Sequence, residues 1–255
     1  MSRMAWYKKS FGREYLRIYN RRGDEQAARE VDFVLGVLKP PMDAWILDLG
    51  CGAGRHVRAL ARRGLVNMVG VDLSRELLEV AAKESTGGKA APLLVRGDMR
   101  HVPFSACFDI VLSMFTSFGY FEDGEEDAMV LRGIARALKP TGRFVLDLPN
   151  RQYVEANLVP ESTSTRNGDI IIESRRLRKN EGLRVEKHIV IKNEERDAVR
   201  REFFESVRLY SKEEIEYLLG NAGMEIENFH GGFDGSEFDG SSPRMLVFGR
   251  KRDEN

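Results

Sequence analysis

The feature that most limits what this chain can fold into is Trp45-Ile46-Leu47-Asp48-Leu49-Gly50-Cys51-Gly52-Ala53-Gly54-Arg55-His56. It opens on an apolar run of buried-strand character and breaks into three glycines at alternate positions. It continues with Val57, Leu60 and Ala61 at helical spacing. The segment therefore reads as strand, glycine-rich turn, helix. Glycines let the backbone turn tightly and approach a ligand with no Cβ in the way. The free N–H groups at the start of the helix then favour negative or partly negative charge.

A lone glycine run is weak, since any tight strand-to-helix turn uses one, but the next segment sharpens it. Asn67-Met68-Val69-Gly70-Val71-Asp72 is a second apolar strand ending in an acid, and Asp72 lies 22 residues after Gly50 (72 − 50). In doubly wound folds an acid at about 20 residues accepts from the two hydroxyls of a ribose. The dinucleotide fingerprint is G-x-G-x-x-G. Here the third glycine, Gly54, comes one residue early and is followed by Arg55.

Further along, Ser74 is a good N-cap for a helix carrying Leu77, Leu78, Ala81 and Ala82. Strands are expected at Pro92–Arg96, closed by Gly97-Asp98-Met99, at Phe108–Met114 and at Phe144–Leu148. A helix at about 124–138 lies between the last two. Strands alternating with helices predict a parallel sheet covered on both faces. From about 151 to 210 the pattern changes to period two: Leu183, Val185, Ile189 and Ile191, then Val199, Phe203, Val207 and Leu209. Turn signals at Asn167-Gly168, Lys179–Gly182 and Asn193–Glu195 divide this stretch into an antiparallel sheet of about three strands. A capping box at Ser211–Glu214 resumes the main fold, followed by strands at Met224–Phe229 and Arg244–Arg250. Before the glycine turn, Tyr7, Phe11, Tyr15, Ile18 and Tyr19 recur at helical spacing, and a second helix is expected over Asp24–Leu38, stopped by Pro40-Pro41. The expected organisation is a helical cap (1–44), a Rossmann-like core (45–150 and 211–255) of seven mostly parallel strands with helices on both faces, and an inserted antiparallel β lid (151–210).

Composition sets bounds. Over 255 residues, 42% hydrophobic and 31% charged content predict a folded core rather than disorder. The start, Met1-Ser2-Arg3-Met4-Ala5-Trp6, has no apolar leader, and no run is long enough to span a bilayer. Cys51 and Cys107 make no disulfide framework, and His56, His101, His188 and His230 show no metal-ligand spacing; a cytoplasmic, metal-free protein is expected. Zero net charge argues against a nucleic-acid partner, and the basic run Arg175–Lys179 reads as a solvated strand face.

Taken in order, Ile46–His56, Val69–Ser74, Gly97-Asp98-Met99, Phe108–Phe115 and Leu138-Lys139-Pro140-x-Gly142 resemble the class I S-adenosylmethionine-dependent methyltransferases over nearly the full chain. The C-terminal half is similar to a small-molecule group with an antiparallel insert, which includes amino-sugar N-methyltransferases. The resemblance implies S-adenosylmethionine as cofactor. The backbone around Asp48, Gly50, Cys51, Gly52 and Gly54 would border its amino-acid half. Asp72 would hold the ribose, Leu73 would pack on the adenine, Asp98 and Met99 would meet the adenine edge, and Met114 would lie near the sulfonium. Tyr19 and Arg22, with Tyr15, are candidates for a lid over the cofactor. The Asn/Asp-Pro-Pro-Tyr/Phe loop of nucleobase-amine methylation is replaced by Ser113-Met114-Phe115-Thr116. The implied reaction is in-line methyl transfer to N or O of a small-molecule acceptor. A base is needed only if the nucleophile arrives protonated, and Tyr120, His230 and Asp234 are the candidates. Phe118, Tyr120 and Phe238 would wall the acceptor pocket, with Arg244 as a polar handle. Two rivals remain at this point: a non-catalytic cofactor-binding relative acting through its insert, and a nicotinamide-dependent oxidoreductase, against which Gly54 and Asp98 argue. The insert is either a substrate lid or an interface between copies, so the chain is a monomer or a homodimer.

Overall fold

The apolar runs become strands whose side chains alternate between two cores. The computed structural model describes residues 6–12, 16, 23–85, 91–166, 168–193 and 199–252. The central strands are β1 (Ile46–Leu49), β2 (Met68–Asp72), β3 (Leu93–Arg96), β4 (Phe108–Ser113) and β5 (Leu138–Pro149). Along them, Leu47, Val69, Val111, Phe144 and Leu146 enter one core, while Ile46, Met68, Ile110, Leu112 and Val145 enter the other. This is the period of two that a sheet covered on both faces imposes. Helices α2 (Asp24–Leu38) and α3 (Arg55–Arg62) supply Ala27, Val31, Val57 and Leu60 to the second core. Helices α5 (Gly124–Ala137) and α7 (Lys212–Asn221) supply Val130, Leu131, Ile215 and Leu219 to the first. α1 (Tyr7–Ser10) is a single turn, and α4 (Arg75–Glu84) starts on the Ser74 cap expected from sequence, whose side chain accepts from Leu77 N–H.

With β10 (Met224–His230) and β11 (Arg244–Lys251), the sheet order is β10-β11-β5-β4-β1-β2-β3, β11 running antiparallel between β5 and β10. The chain winds outward from β1 to β3, then returns to β4 on the other side of β1. The crevice above the carboxyl ends of β1 and β4 is therefore the switch point where ligands of such sheets bind.

The insert has four strands, β6 (Glu161–Arg166), β7 (Asp169–Asn180), β8 (Gly182–Asn193) and β9 (Val199–Arg208), in antiparallel order. The sequence pattern missed β6 and the short helix α6 (Arg151–Asn157) before it. β6 reads Glu-Ser-Thr-Ser-Thr-Arg, an edge strand with no apolar member, so it carries no period-two contrast. The β7–β8 hairpin turns where Lys179–Gly182 had placed it, while Asn167 and Glu194-Glu195 of the other two turn signals lie outside the described residues. The basic run on β7 is neutralised by pairing: Arg175 meets Glu173, Arg176 meets Glu186, and Arg178 meets both Glu122 and Glu186. No helix among the described residues is long and apolar enough to cross a membrane.

Candidate cofactor and acceptor site

The glycine turn is built to bring bare backbone to the end of β1. Gly50, Gly52 and Gly54 adopt φ of 80, 55 and 76°, where an L side chain is strained. At Gly50 an added Cβ would also lie 2.8 Å from the Ser117 side chain, so the β1 turn and the loop after β4 close on one another there. Asp72 braces the turn. One carboxylate oxygen accepts from Gly52 N–H and the other from Ser74 N–H, both at 2.8 Å. Burial pushes its pKa up while these backbone donors hold it down. The carboxylate keeps lone-pair capacity beyond these bonds, and Asp72 lines the cavity.

That cavity measures about 1040 Å³ and runs over the ends of β1, β2, β3 and β4. Gly50, Cys51, Gly52, Asp72, Leu73, Asp98, Met99 and Met114 border it. Asp98 takes Arg100 N–H and the Arg100 guanidinium, which also meets Glu126; the arginine holds the Asp98 carboxyl below its ordinary range. A second wall is aromatic. Tyr7, Phe11, Tyr120 and Phe121 line it, with Tyr120 5.1 Å from the Trp6 ring and 5.5 Å from Phe11, and Tyr7 5.3 Å from Phe121. Burial raises the Tyr120 phenol well above its ordinary value, and the nearby charges of Glu205 and Asp72 add to this; its side chain bonds that of Ser117.

The loop joining the two walls is strained. Phe115 and Thr116 have φ of 60 and 59°, unusual for bulky and β-branched side chains. Asp147, buried on β5, holds them there. Its Oδ2 accepts from Phe115 N–H at 2.7 Å, and its carbonyl from Thr116 N–H at 3.0 Å. Arg244 completes the knot, donating to Asp147 Oδ1 at 2.7 Å and to Thr116 Oγ1 at 2.8 Å. Phe115 faces the cavity with the Arg55 guanidinium 4.6 Å from its ring.

Residues 46–142 match the family described as methyltransferase domain. The chain is 36% identical over 137 residues to the cypemycin N-terminal methyltransferase of a Streptomyces species, a match covering 49% of this chain and 55% of that protein. It is 28% identical over 201 residues to the dTDP-3-amino-3,6-dideoxy-alpha-D-glucopyranose N,N-dimethyltransferase of Streptomyces fradiae, covering 76% of this chain and 75% of that one. In fold it is similar to the CcbJ methyltransferase of Streptomyces caelestis, with a TM-score of 0.81 at 17% identity over 99% of this chain and 100% of the other. The chain belongs to the class I S-adenosylmethionine-dependent methyltransferases.

The residues present fit the cofactor of this family. The cavity is large enough for a nucleoside beside a second small molecule, its floor is bare backbone, and acids stand at the ends of β2 and β3. Two sequence candidates lie just outside it. Gly54 caps α3, and its missing side chain makes room for Ala81 of α4, 3.0 Å from a built Cβ. Asp48 is 2% exposed behind the turn, with Oδ2 lacking a hydrogen-bond partner among the described residues. Burial pushes its pKa to about 6 against the pull of His56 and Arg55.

The expected acceptor residues divide sharply. Tyr120 lines the methyltransferase cavity; Phe118, His230, Asp234, Phe238 and Arg244 do not. Phe118 is 1% exposed in the core against Tyr210, because the loop turns it inward. His230 sits between Phe33 and Phe248, at 5.2 and 5.4 Å. Asp234 is an exposed turn-former that accepts from Ser236 N–H and Oγ. Phe238 packs on Phe229 at 5.7 Å. The 231–243 loop is tied down by its own bonds and by Asn150, whose Nδ2 donates to Asp239 and Ser242 carbonyls at 2.8 Å each, so it is no flap over the cavity. Tyr15, Tyr19 and Arg22 lie outside the described residues. Sequence reasoning missed Tyr7, Phe11, Phe115 and Ser117 as lining residues, and Asp147 as the support of the strained loop. Asp147 had a readable signal: like Asp48, it is a carboxylate inside an apolar strand and so needs partners.

Proposed function

We propose that this methyltransferase methylates the amine nitrogen of a small-molecule or terminal-amine acceptor. The observation that carries the reading is the single cavity that the cofactor turn shares with Tyr7, Phe11, Tyr120 and Phe121. Bound S-adenosylmethionine supplies an activated methyl group on a sulfonium, which a nucleophile displaces in line. The chain's own task is placement and exclusion of water, and holding reactants in contact is worth about 7–11 kcal/mol of barrier in favourable cases. In this reading Asp72 orients the ribose through its free lone pairs, Asp98 accepts from the adenine amine, and Met114 and Phe115 close the space around the reacting centre. The aromatic wall suits a cationic centre. Tyr120, kept protonated by burial, is a neutral hydrogen-bonding group and not a base. An amine that enters as the free base needs no other. The relatives named as a cypemycin N-terminal methyltransferase and as an N,N-dimethyltransferase of a dTDP-amino sugar support nitrogen over oxygen.

The test is S-adenosylhomocysteine release across a panel of 3-amino sugar nucleotides, peptides with free N-termini, and phenols. The expected result is turnover with an amine class, lowered about tenfold or more by Tyr120→Phe through lost orientation. Turnover confined to phenols overturns the nitrogen assignment. Cofactor binding with no turnover on any member favours the non-catalytic rival.

A further inference from the structure

The inserted sheet holds the loop that carries Tyr120 through one buried side chain. Arg184, on β8, is 3% exposed. Its Nη1 donates to the Phe121 carbonyl at 2.6 Å, and its Nη2 to the carbonyls of Gly119 at 3.2 Å and Tyr120 at 3.1 Å. The same guanidinium is aimed by its own sheet: Nε donates to Ser206 Oγ at 2.8 Å, and Nη2 to the Ser206 carbonyl at 2.7 Å. Three consecutive loop carbonyls thus converge on one fork. This geometry suits the planar five-donor head of arginine and no other side chain.

The neighbouring contacts share this arrangement. Arg208 N–H of β9 donates to the Gly119 carbonyl at 2.8 Å. Gly119, at φ 90°, brings its backbone so close that a built Cβ would lie 3.0 Å from the Arg208 carbonyl oxygen. Phe121 N–H stands near the buried Asp127 carboxylate, which accepts from Tyr210 Oη at 2.6 Å. Ser10 Oγ, next to the aromatic turn, donates to the Phe204 carbonyl of β9 at 2.7 Å.

We infer that Arg184 is a positioning residue for the acceptor wall: it locks residues 119–121 to the insert and so presents Tyr120 to the cavity in a fixed place. The insert is then a fixed support behind the pocket wall and not a lid that swings away in each turnover. The inference rests on the proposed acceptor role of Tyr120, and its test reads Tyr120 without needing an acceptor.

The chain has two tryptophans, Trp6 and Trp45. In a Trp45→Phe background Trp6 is the sole indole, 5.1 Å from Tyr120. Arg184→Lys in that background is compared with Ile134→Val, a conservative change in the buried α5 core away from the loop. Both are compared with the parent at temperatures equally far below their melting midpoints. The expected result is that Arg184→Lys raises acrylamide quenching of Trp6 roughly threefold or more through loosening of the loop, while Ile134→Val leaves it unchanged. S-adenosylhomocysteine affinity in Arg184→Lys stays within about threefold of the parent, because the Asp72 end is untouched. Unchanged quenching in Arg184→Lys, or an equal rise in Ile134→Val, overturns the inference. Loss of S-adenosylhomocysteine binding in the parent instead overturns the function proposed above. Should Arg184→Lys fail to fold, hydrogen exchange on the unaltered protein decides. The Phe121 amide should open with the amides of β8 in one denaturant-dependent unit. Exchange of Phe121 by a separate, denaturant-independent opening contradicts the inference.

Discussion

Asp48 is a carboxylate behind the cofactor turn, buried and short of a partner on Oδ2, with its pKa raised to about 6. An unfolded aspartate titrates near 3.9. Between these values the folded state holds the proton more tightly than the unfolded chain, so this group's contribution is present at low pH and is lost as pH rises through about 6. Asp48→Asn removes the titration. The difference in unfolding free energy, variant minus parent, is expected to rise by about 1–3 kcal/mol between pH 4 and 7, read by urea denaturation. A flat difference contradicts the assigned environment. The sequence made Asp48 legible because a charge in an apolar strand is conspicuous, and Asp147 carries the same mark. Phe118 shows the opposite case. An aromatic residue in a loop beside the cofactor strand reads as a wall, and only the inward turn of the backbone sends it to Tyr210.

Among the elements, the loop after β4 carries the most strain. Phe115 and Thr116 stay left-handed because Asp147 and Arg244 hold them. Asp147→Ala leaves Phe115 N–H without its acceptor and takes the carboxylate from the Arg244 guanidinium. It is expected to cost about 2–4 kcal/mol in chemical denaturation. A change under about half a kcal/mol would show that the knot does not hold the loop. At α7, Ser211 makes the full capping box that its sequence announced. Ser211→Ala is expected to cost about 1 kcal/mol by the same measurement. Elements with a local rule behind them, such as caps, alternating strands and glycine turns, were readable from sequence. β6 and α6 were not, because one is polar on both faces and the other is seven residues long. The Arg184 clamp was equally silent, since it joins residues 63 to 65 positions apart.

In the whole molecule, the order β3-β2-β1-β4-β5-β11-β10 places the cofactor turn and the aromatic wall around one cavity over the β1–β4 switch point. The cofactor end was legible from the order of strand, glycine turn and acids, because topology follows from winding rules. The acceptor end was not, since the side on which each long loop settles is decided by tertiary bonds such as those of Asn150 to the 231–243 loop. The most direct test is calorimetric titration of S-adenosylhomocysteine into the parent, Asp72→Asn and Asp72→Ala, with folding checked for each. The parent should bind one equivalent and show no heat with NAD. Asp72→Ala should lose about 2–4 kcal/mol of binding, since it removes the ribose acceptors as well as the brace on Gly52 and Ser74. Asp72→Asn, which keeps one carbonyl acceptor, should lose less. A folded Asp72→Ala that binds as tightly as the parent, or a parent that binds NAD and ignores S-adenosylhomocysteine, would contradict the cofactor site described for this chain.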